Sequence, residues 1–210
     1  MVTLGATSIL TFFMLFVAHM NQLDPEITNL VPVLQSYWLM IHVAIITGSY
    51  GFLGLGAIIA IINLMLFIFR TKDDKRVNLH IKEISYIIEL TTTIGLFMLT
   101  IGTFLGGIWA NESWGRYWGW DPKETWALVS ILVYAILLHL RFIPALKSKL
   151  VFNSVAMWSY GAILFTFFGV NFFLVGLHSY AEGEADTMWP AWVVYTIIGF
   201  AIFNIIAIIR

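Results

Sequence analysis

WLMIHVAIITGSYGFLGLGAIIAIINLMLFIFRTKDDKRVNLHIK, residues 38–82, decides the fold class. From Trp38 to Phe69 the stretch holds no Asp, Glu, Lys or Arg. It then breaks into a run holding Arg70, Lys72, Lys75, Arg76 and Lys82. A helix crossing a hydrocarbon core ~30 Å thick needs about 20 mostly apolar residues, so 38–69 is long enough to span. The same reading along the chain predicts six spans, at 3–20, 38–69, 84–109, 124–143, 151–177 and 190–209. The first lacks a basic leader and a small-residue cleavage site, and is expected to be a retained helix rather than a signal peptide.

Composition agrees. Of 210 residues, 60% are hydrophobic and 11% charged, against ~25% charged in ordinary soluble domains. A net charge of −1 offers no basic patch for nucleic acid. With no cysteine there are no disulfides, thiolate metal sites or iron–sulfur clusters, and the five histidines are the remaining nitrogen ligands. The expected architecture is an all-α membrane protein with six transmembrane helices, a single domain over 1–210 without internal repeats. Gly48, Gly51, Gly54, Gly56, Gly102 and Gly106 are expected at close helix contacts, since small residues let backbones approach in lipid.

Cytoplasmic loops carry the excess of Lys and Arg. The 70–82 run, the 144–149 loop with Arg141 ahead of it, and Arg210 fall on one side; Arg116 and Lys123 fall on the other. The second side also collects Asp24, Glu26, Glu112, Asp121, Glu124, Glu182, Glu184 and Asp186. Both termini are therefore expected to be cytoplasmic, with loops 21–37, 110–123 and 178–189 facing outward.

Two histidines then fall at one height. His42 precedes Arg70 and His178 follows Lys149 by nearly equal lengths of chain. At ~1.5 Å per residue in continuous helix, both lie ~42–44 Å from the cationic edge. The outward loop between the third and fourth spans reads WANESWGRYWGWDPKETWA, with Trp109, Trp114, Trp118, Trp120 and Trp126 crowded together. An interfacial aromatic belt would spread its tryptophans over all the spans. Five of nine in one loop suit an apolar platform for a large planar ligand better. Haem meets that description: iron takes axial imidazoles, and the porphyrin face stacks on indoles. Arg116 and Lys123 are the cations on that side for two propionates. The alternative is that each histidine is a hydrogen-bonded packing residue.

The segment WGRYWGWDPKETWALVSILVYAILLHLR, 114–141, resembles the WWD signature of haem-handling membrane proteins. Its DPKETWA continuation and SYWLMIHV, 36–43, are similar to the CcsA/ResC type of the system II cytochrome c assembly machinery. The resemblance covers most of residues 30–190. It implies that His42 and His178 ligate an external haem and that Trp114, Trp118, Trp120, Asp121 and Trp126 belong to its platform. By the same match, His139 ligates haem within the membrane. The implied cofactor is non-covalent haem b, and the implied partner is a CcsB/ResB-type membrane protein that supplies the other ligand to the internal haem. The implied chemistry is cytochrome c haem ligation, in which the thiols of an apocytochrome C-x-x-C-H segment add to the haem vinyls. The implied location is a bacterial inner membrane or an equivalent energy-transducing membrane.

DPKE, 121–124, reads as a helix start with Asp121 as N-cap, Pro122 at N1 and Glu124 at N3. Glu89, a carboxylate inside a span, is open to three readings: hydrogen bonding to His139, protonation between helices, or reach to the inner interface. His139 itself could cap helix carbonyls instead of ligating. His80 is expected in a solvated loop and His19 in interfacial packing, while Asn63, Asn171 and Asn204 are expected to bond between helices. Two other functions fit part of this pattern. A CcmC-type haem chaperone would present haem without ligation, and a b-type electron-transfer subunit would need histidine pairs inside the bundle.

Overall fold

In the computed structural model, residues 2–19, 35–71, 74–178 and 190–210 are described. They form helices α1 (Val2–His19), α2 (Tyr37–Phe69), α3 (Lys75–Trp114), α4 (Pro122–His139), α5 (Lys149–Leu164), α6 (Val170–Phe173) and α7 (Ala191–Ile209). A 3₁₀ turn (Leu140–Phe142) ends α4, and a π-helical turn (Phe165–Gly169) joins α5 to α6. All regular structure among the described residues is helical. Five stretches are long and apolar enough to cross a membrane: Tyr37–Phe69, Lys75–Trp114, Pro122–Phe142, Lys149–Phe173 and Ala191–Ile209. The predicted first span is also helical, with a described apolar stretch over Thr3–Phe16.

Helix α2 stays continuous through its glycines. Each glycine disfavours helix by about 1 kcal/mol relative to alanine, yet in hydrocarbon the backbone can satisfy its own polar groups only by remaining helical. Helices α2 and α3 pack antiparallel in one register. A Cβ on Gly95 would meet Leu53 Cγ at 2.7 Å, one on Gly102 would meet Ile46 Cγ1 at 2.6 Å, and one on Gly106 would meet His42 Nδ1 at 2.7 Å. Each step along α3 is matched by an equal step back along α2. The expected glycine contacts are present at Gly48, Gly54, Gly56, Gly102 and Gly106, whereas Gly51 faces open space. Leu53, Ile59, Leu64, Ile88, Leu99, Tyr134, Leu137 and Ile163 form the centre of the core. Phe97 and Phe104 on α3, and Trp192, Tyr195 and Ile202 on α7, point outward and are exposed. Apolar exposure on this scale belongs on a lipid-facing surface.

A polar knot crosses the core. Asn63 Nδ2 donates to Asn153 Oδ1 at 2.9 Å, Ser85 Oγ at 3.1 Å and the Ile81 carbonyl at 3.2 Å, tying α2, α3 and α5 together. Ser154 donates to Asn204 Oδ1 at 2.7 Å and so links α5 to α7. Asn171 instead donates to Phe167 O of its own helical segment at 3.0 Å, not between helices.

Helix α3 outruns its predicted span at both ends. It starts inside the charged run, where Asp74 accepts from Arg76 N at 3.0 Å and Val77 N at 3.1 Å. His80 is therefore exposed on a helix rather than in a loop, with Nδ1 3.3 Å from Glu83 Oε2. At the other end α3 continues to Trp114 and stops at Gly115, whose φ of 72° gives the left-handed C-cap that glycine adopts without a Cβ penalty. The span predicted over 151–177 likewise departs from a uniform α-helix: it includes the π turn and ends at Phe173, after which Leu174 is extended.

Candidate functional site at the tryptophan end

One end of the bundle gathers the start of α2, the end of α3, the start of α4 and the segment after α6. His42 sits one turn into α2, and its Nδ1–H donates to the Gly102 carbonyl of α3 at 2.7 Å. Gly106 provides the seat for the ring. Trp109, 1% exposed, lies parallel to that imidazole with centroids 6.2 Å apart and 10° between planes. Its indole also touches His178 at 5.4 Å. Trp114 meets Trp109 at 4.7 Å and His178 at 5.0 Å, both edge-on. The two histidines thus share one indole, Trp109, and His178 also meets Trp114.

His178 is fixed from α4. Its Nδ1–H donates to Asp121 Oδ2 at 2.7 Å, and Leu177 N donates to Asp121 Oδ1 at 2.5 Å. Asp121 is buried and also caps α4, accepting from Lys123 N at 3.1 Å. Glu124 completes the capping box by accepting from Asp121 N at 3.2 Å, as the 121–124 pattern predicts. The same carboxylate oxygen accepts from Gly119 N at 2.7 Å. Glu124 therefore grips the backbone on both sides of Trp120, whose φ of 57° is unusual for a bulky residue.

The indoles do not share one plane. Trp118 and Trp120 stand perpendicular at 5.7 Å, and Trp120 is 70% exposed. Trp126 lies against Phe165 of the π turn at 4.1 Å, where Thr166 Oγ1 donates to the Trp126 carbonyl at 3.2 Å. The ring quadrupole favours such edge-to-face meetings over a coplanar sheet, so the expected flat platform is a faceted cluster. Arg116 is drawn onto the same loop, with Nη1 3.4 Å from Glu124 Oε1 and Cζ 5.7 Å from the Trp114 ring. Lys123 lies half-buried in the first turn of α4.

His139 lies apart, exposed at the opposite end, where its Nδ1–H donates to Ala135 O at 2.7 Å. Glu89 pairs with Arg141 rather than His139. A guanidinium with five donors that is always charged is the stronger partner for a carboxylate. The side chain of His19, together with Asp24, Glu26, Lys72, Glu182, Glu184 and Asp186, lies outside the described residues, as do most of the loops over 21–37 and 178–189.

Every one of His42, His139 and His178 gives its Nδ1 proton to an oxygen. In the neutral ring, the lone pair available to a metal then resides on Nε2. Three features escaped the sequence reading. Trp109 as the shared contact could have been found from its place seven residues after Gly102 and three after Gly106, on the same helix face. The double role of Asp121 and the Glu124 clamp on Trp120 have no short-range signal beyond the cap itself.

Residues 1–178 match the family described as cytochrome C assembly protein. The chain is 52% identical over 181 residues to Protein NrfI of Wolinella succinogenes, covering 86% of this chain and 20% of that one. To the cytochrome c biogenesis protein CcsA of Chlamydomonas reinhardtii it is 40% identical over 162 residues, 77% of this chain and 44% of that one. Against CcsA of Prochlorococcus marinus the figures are 36% over 180 residues, 73% and 57%. The chain thus spans from about a fifth to under two thirds of the length of these relatives.

Proposed function

The chain belongs to the cytochrome c assembly protein family, and from that premise we propose that it holds haem at the tryptophan end of the bundle for cytochrome c maturation. The observation that carries this reading is the convergence of His42 and His178 on one indole, Trp109, with Trp114 beside His178. Each ring is oriented by an oxygen from a different element, which leaves Nε2 as the ligating atom of both. Two imidazoles beside indoles fit the donor set of haem b.

Trp114, Trp118, Trp120 and Trp126 give the apolar walls, with Asp121 as the brace. Arg116 uses one guanidinium edge on Glu124 and, with its remaining donors and Lys123, offers charge for two propionates. Bound haem would supply the vinyl groups to which the thiols of a C-x-x-C-H apocytochrome add. The contribution of this chain is orientation, since holding reactants at near-attack geometry lowers a barrier by several kcal/mol. With no cysteine in the chain, haem is held without a thioether to the protein and stays exchangeable.

At the other end, His139 is exposed and so is accessible to a second ligand from a CcsB/ResB-type partner. The reading includes α1 as a sixth span, both termini in the cytoplasm, and the 115–121 turn on the outer face of a bacterial inner membrane or its equivalent. Its support is the placement of nine of the eleven cations on one side of the predicted spans.

The test is to purify the chain, record spectra, and co-express it with a C-x-x-C-H reporter and a CcsB-like protein. The expected result is a low-spin haem spectrum that His42→Ala and His178→Ala each abolish or alter, with covalent haem on the reporter only when both proteins are present. Unaltered spectra in both variants would sink the axial pair. A reporter after Arg210 found outside the cell would overturn the orientation.

A further inference from the structure

We infer that Asp121 is the positioning residue of His178, setting the ring's tautomer and giving that ligand an anionic backing that His42 lacks. The second half rests on the haem reading above; the first does not. Capping a helix requires one side-chain oxygen on one or two backbone N–H groups. Asp121 does more: its two oxygens take Lys123 N, Leu177 N and His178 Nδ1–H together. The side chain is 3% exposed, so these bonds replace water rather than compete with it. The segment after α6 is brought this close because residue 176 is glycine; a Cβ there would lie 2.7 Å from Pro122 Cδ.

The chemistry follows from the acceptor. An ionised carboxylate has no proton to give, so the proton of the 2.7 Å contact resides on Nδ1 and Nε2 carries the lone pair. His42 reaches the same tautomer through the neutral carbonyl of Gly102. The two rings are therefore unequal ligands. Carboxylate backing raises the basicity of an imidazole, and a more basic ligand favours ferric over ferrous iron. His178 becomes the stronger anchor and His42 the more exchangeable one.

The experiment uses Asp121→Asn, which preserves an N-cap of the same rank but removes the negative charge. Asp121→Ser serves if the first variant does not fold. Nitrogen-15 NMR of histidine-labelled, haem-free chain reads the tautomer. The expected wild-type signal is Nδ1–H for His178 with a strongly downfield proton, and that shift is lost in the variant. Identical His178 ring-nitrogen shifts in wild type and variant, or Nε2–H in the wild type, would overturn the inference without reference to haem. In haem-loaded chain, the variant is expected to retain haem about tenfold less tightly and to show a raised midpoint potential. An unchanged potential would overturn the anionic backing. A chain that shows the tautomer shift yet holds no haem would refute the haem reading while supporting the Asp121–His178 contact.

Discussion

His178 and His139 form the same kind of first contact, and what surrounds them differs. Each donates Nδ1–H to an oxygen at 2.7 Å. For His139 that oxygen belongs to Ala135, one turn back on its own helix, and the ring faces outward. For His178 the oxygen belongs to a side chain 57 residues away, and two buried or half-buried indoles close around the ring. His42 resembles His178 here, since its acceptor lies 60 residues on. A favourable tautomer is therefore cheap: any histidine in a helix can obtain one from the preceding turn. Fixing the ring relative to the rest of the fold takes partners from other elements. The tryptophan end has those partners, whereas the His139 ring is hydrogen-bonded only within its own helix and stays exposed.

Breaking the difference should cost most at Trp109, the indole shared by both histidines. Trp109→Ala removes a fully buried aromatic and is expected to destabilise by about 3–5 kcal/mol, measured as unfolding free energy in an SDS titration. It should also reduce haem retention as strongly as the loss of either histidine. Full stability in this variant would mean that the indole is not holding the site together. Gly106→Val comes next. A Cβ there would lie 2.7 Å from His42 Nδ1, and overpacking of that kind costs about 1–3 kcal/mol. Haem spectra should change as in His42→Ala, whereas Gly51→Ala, at open space, should leave them as they are. Equal behaviour of the two glycine variants would refute the Gly106 seat.

A smaller change sharpens the role of the 115–121 turn. Glu124→Gln preserves an acceptor for Gly119 N and Asp121 N but removes its charge, weakening both bonds and the Arg116 contact. Charged hydrogen bonds are roughly twice as strong as neutral ones, so a loss of about 1 kcal/mol is expected. Faster amide exchange at Trp120 and Asp121 would report the loosened turn. Unaltered exchange would show that the left-handed backbone of Trp120 is held by something other than this clamp.

Five of the six expected spans have helices long enough to cross among the described residues, and they were legible because about 20 apolar residues flanked by cations have few alternatives to a crossing helix. The ends of α3 were less legible, because hydropathy marks the hydrocarbon edge while helices stop at caps. Asp74 and Gly115 were the signals for those stops. Equal heights for His42 and His178 follow from chain length, and both rings lie against Trp109. Asp121 reads as a cap and, by the resemblance, as part of the platform, but not as the partner of His178, since that bond joins segments 57 residues apart. Local pattern contains nothing about such a pair. The Glu89 readings included His139 and not Arg141, although both lie in the same turn at the end of α4.

The smallest expected effect tests the His139 end itself. Arg141 and Glu89 tie α4 to α3, but the arginine side chain is 59% exposed and the carboxylate 27%. Open pairs contribute about 0–1 kcal/mol, since water and salt screen them and two long side chains must be ordered. Glu89→Gln should therefore lower stability by less than about 1 kcal/mol, with the loss shrinking as salt is raised. His42 on α2 and His178 after α6 lie at the other end of the bundle, so spectra from their site should not move. Two outcomes would reverse the contrast. A large, salt-independent loss would place the pair in a dry environment, where removing one partner strands the other's charge. A changed haem spectrum would mean that the two ends communicate along α3, and that His139 is held by more than its own turn.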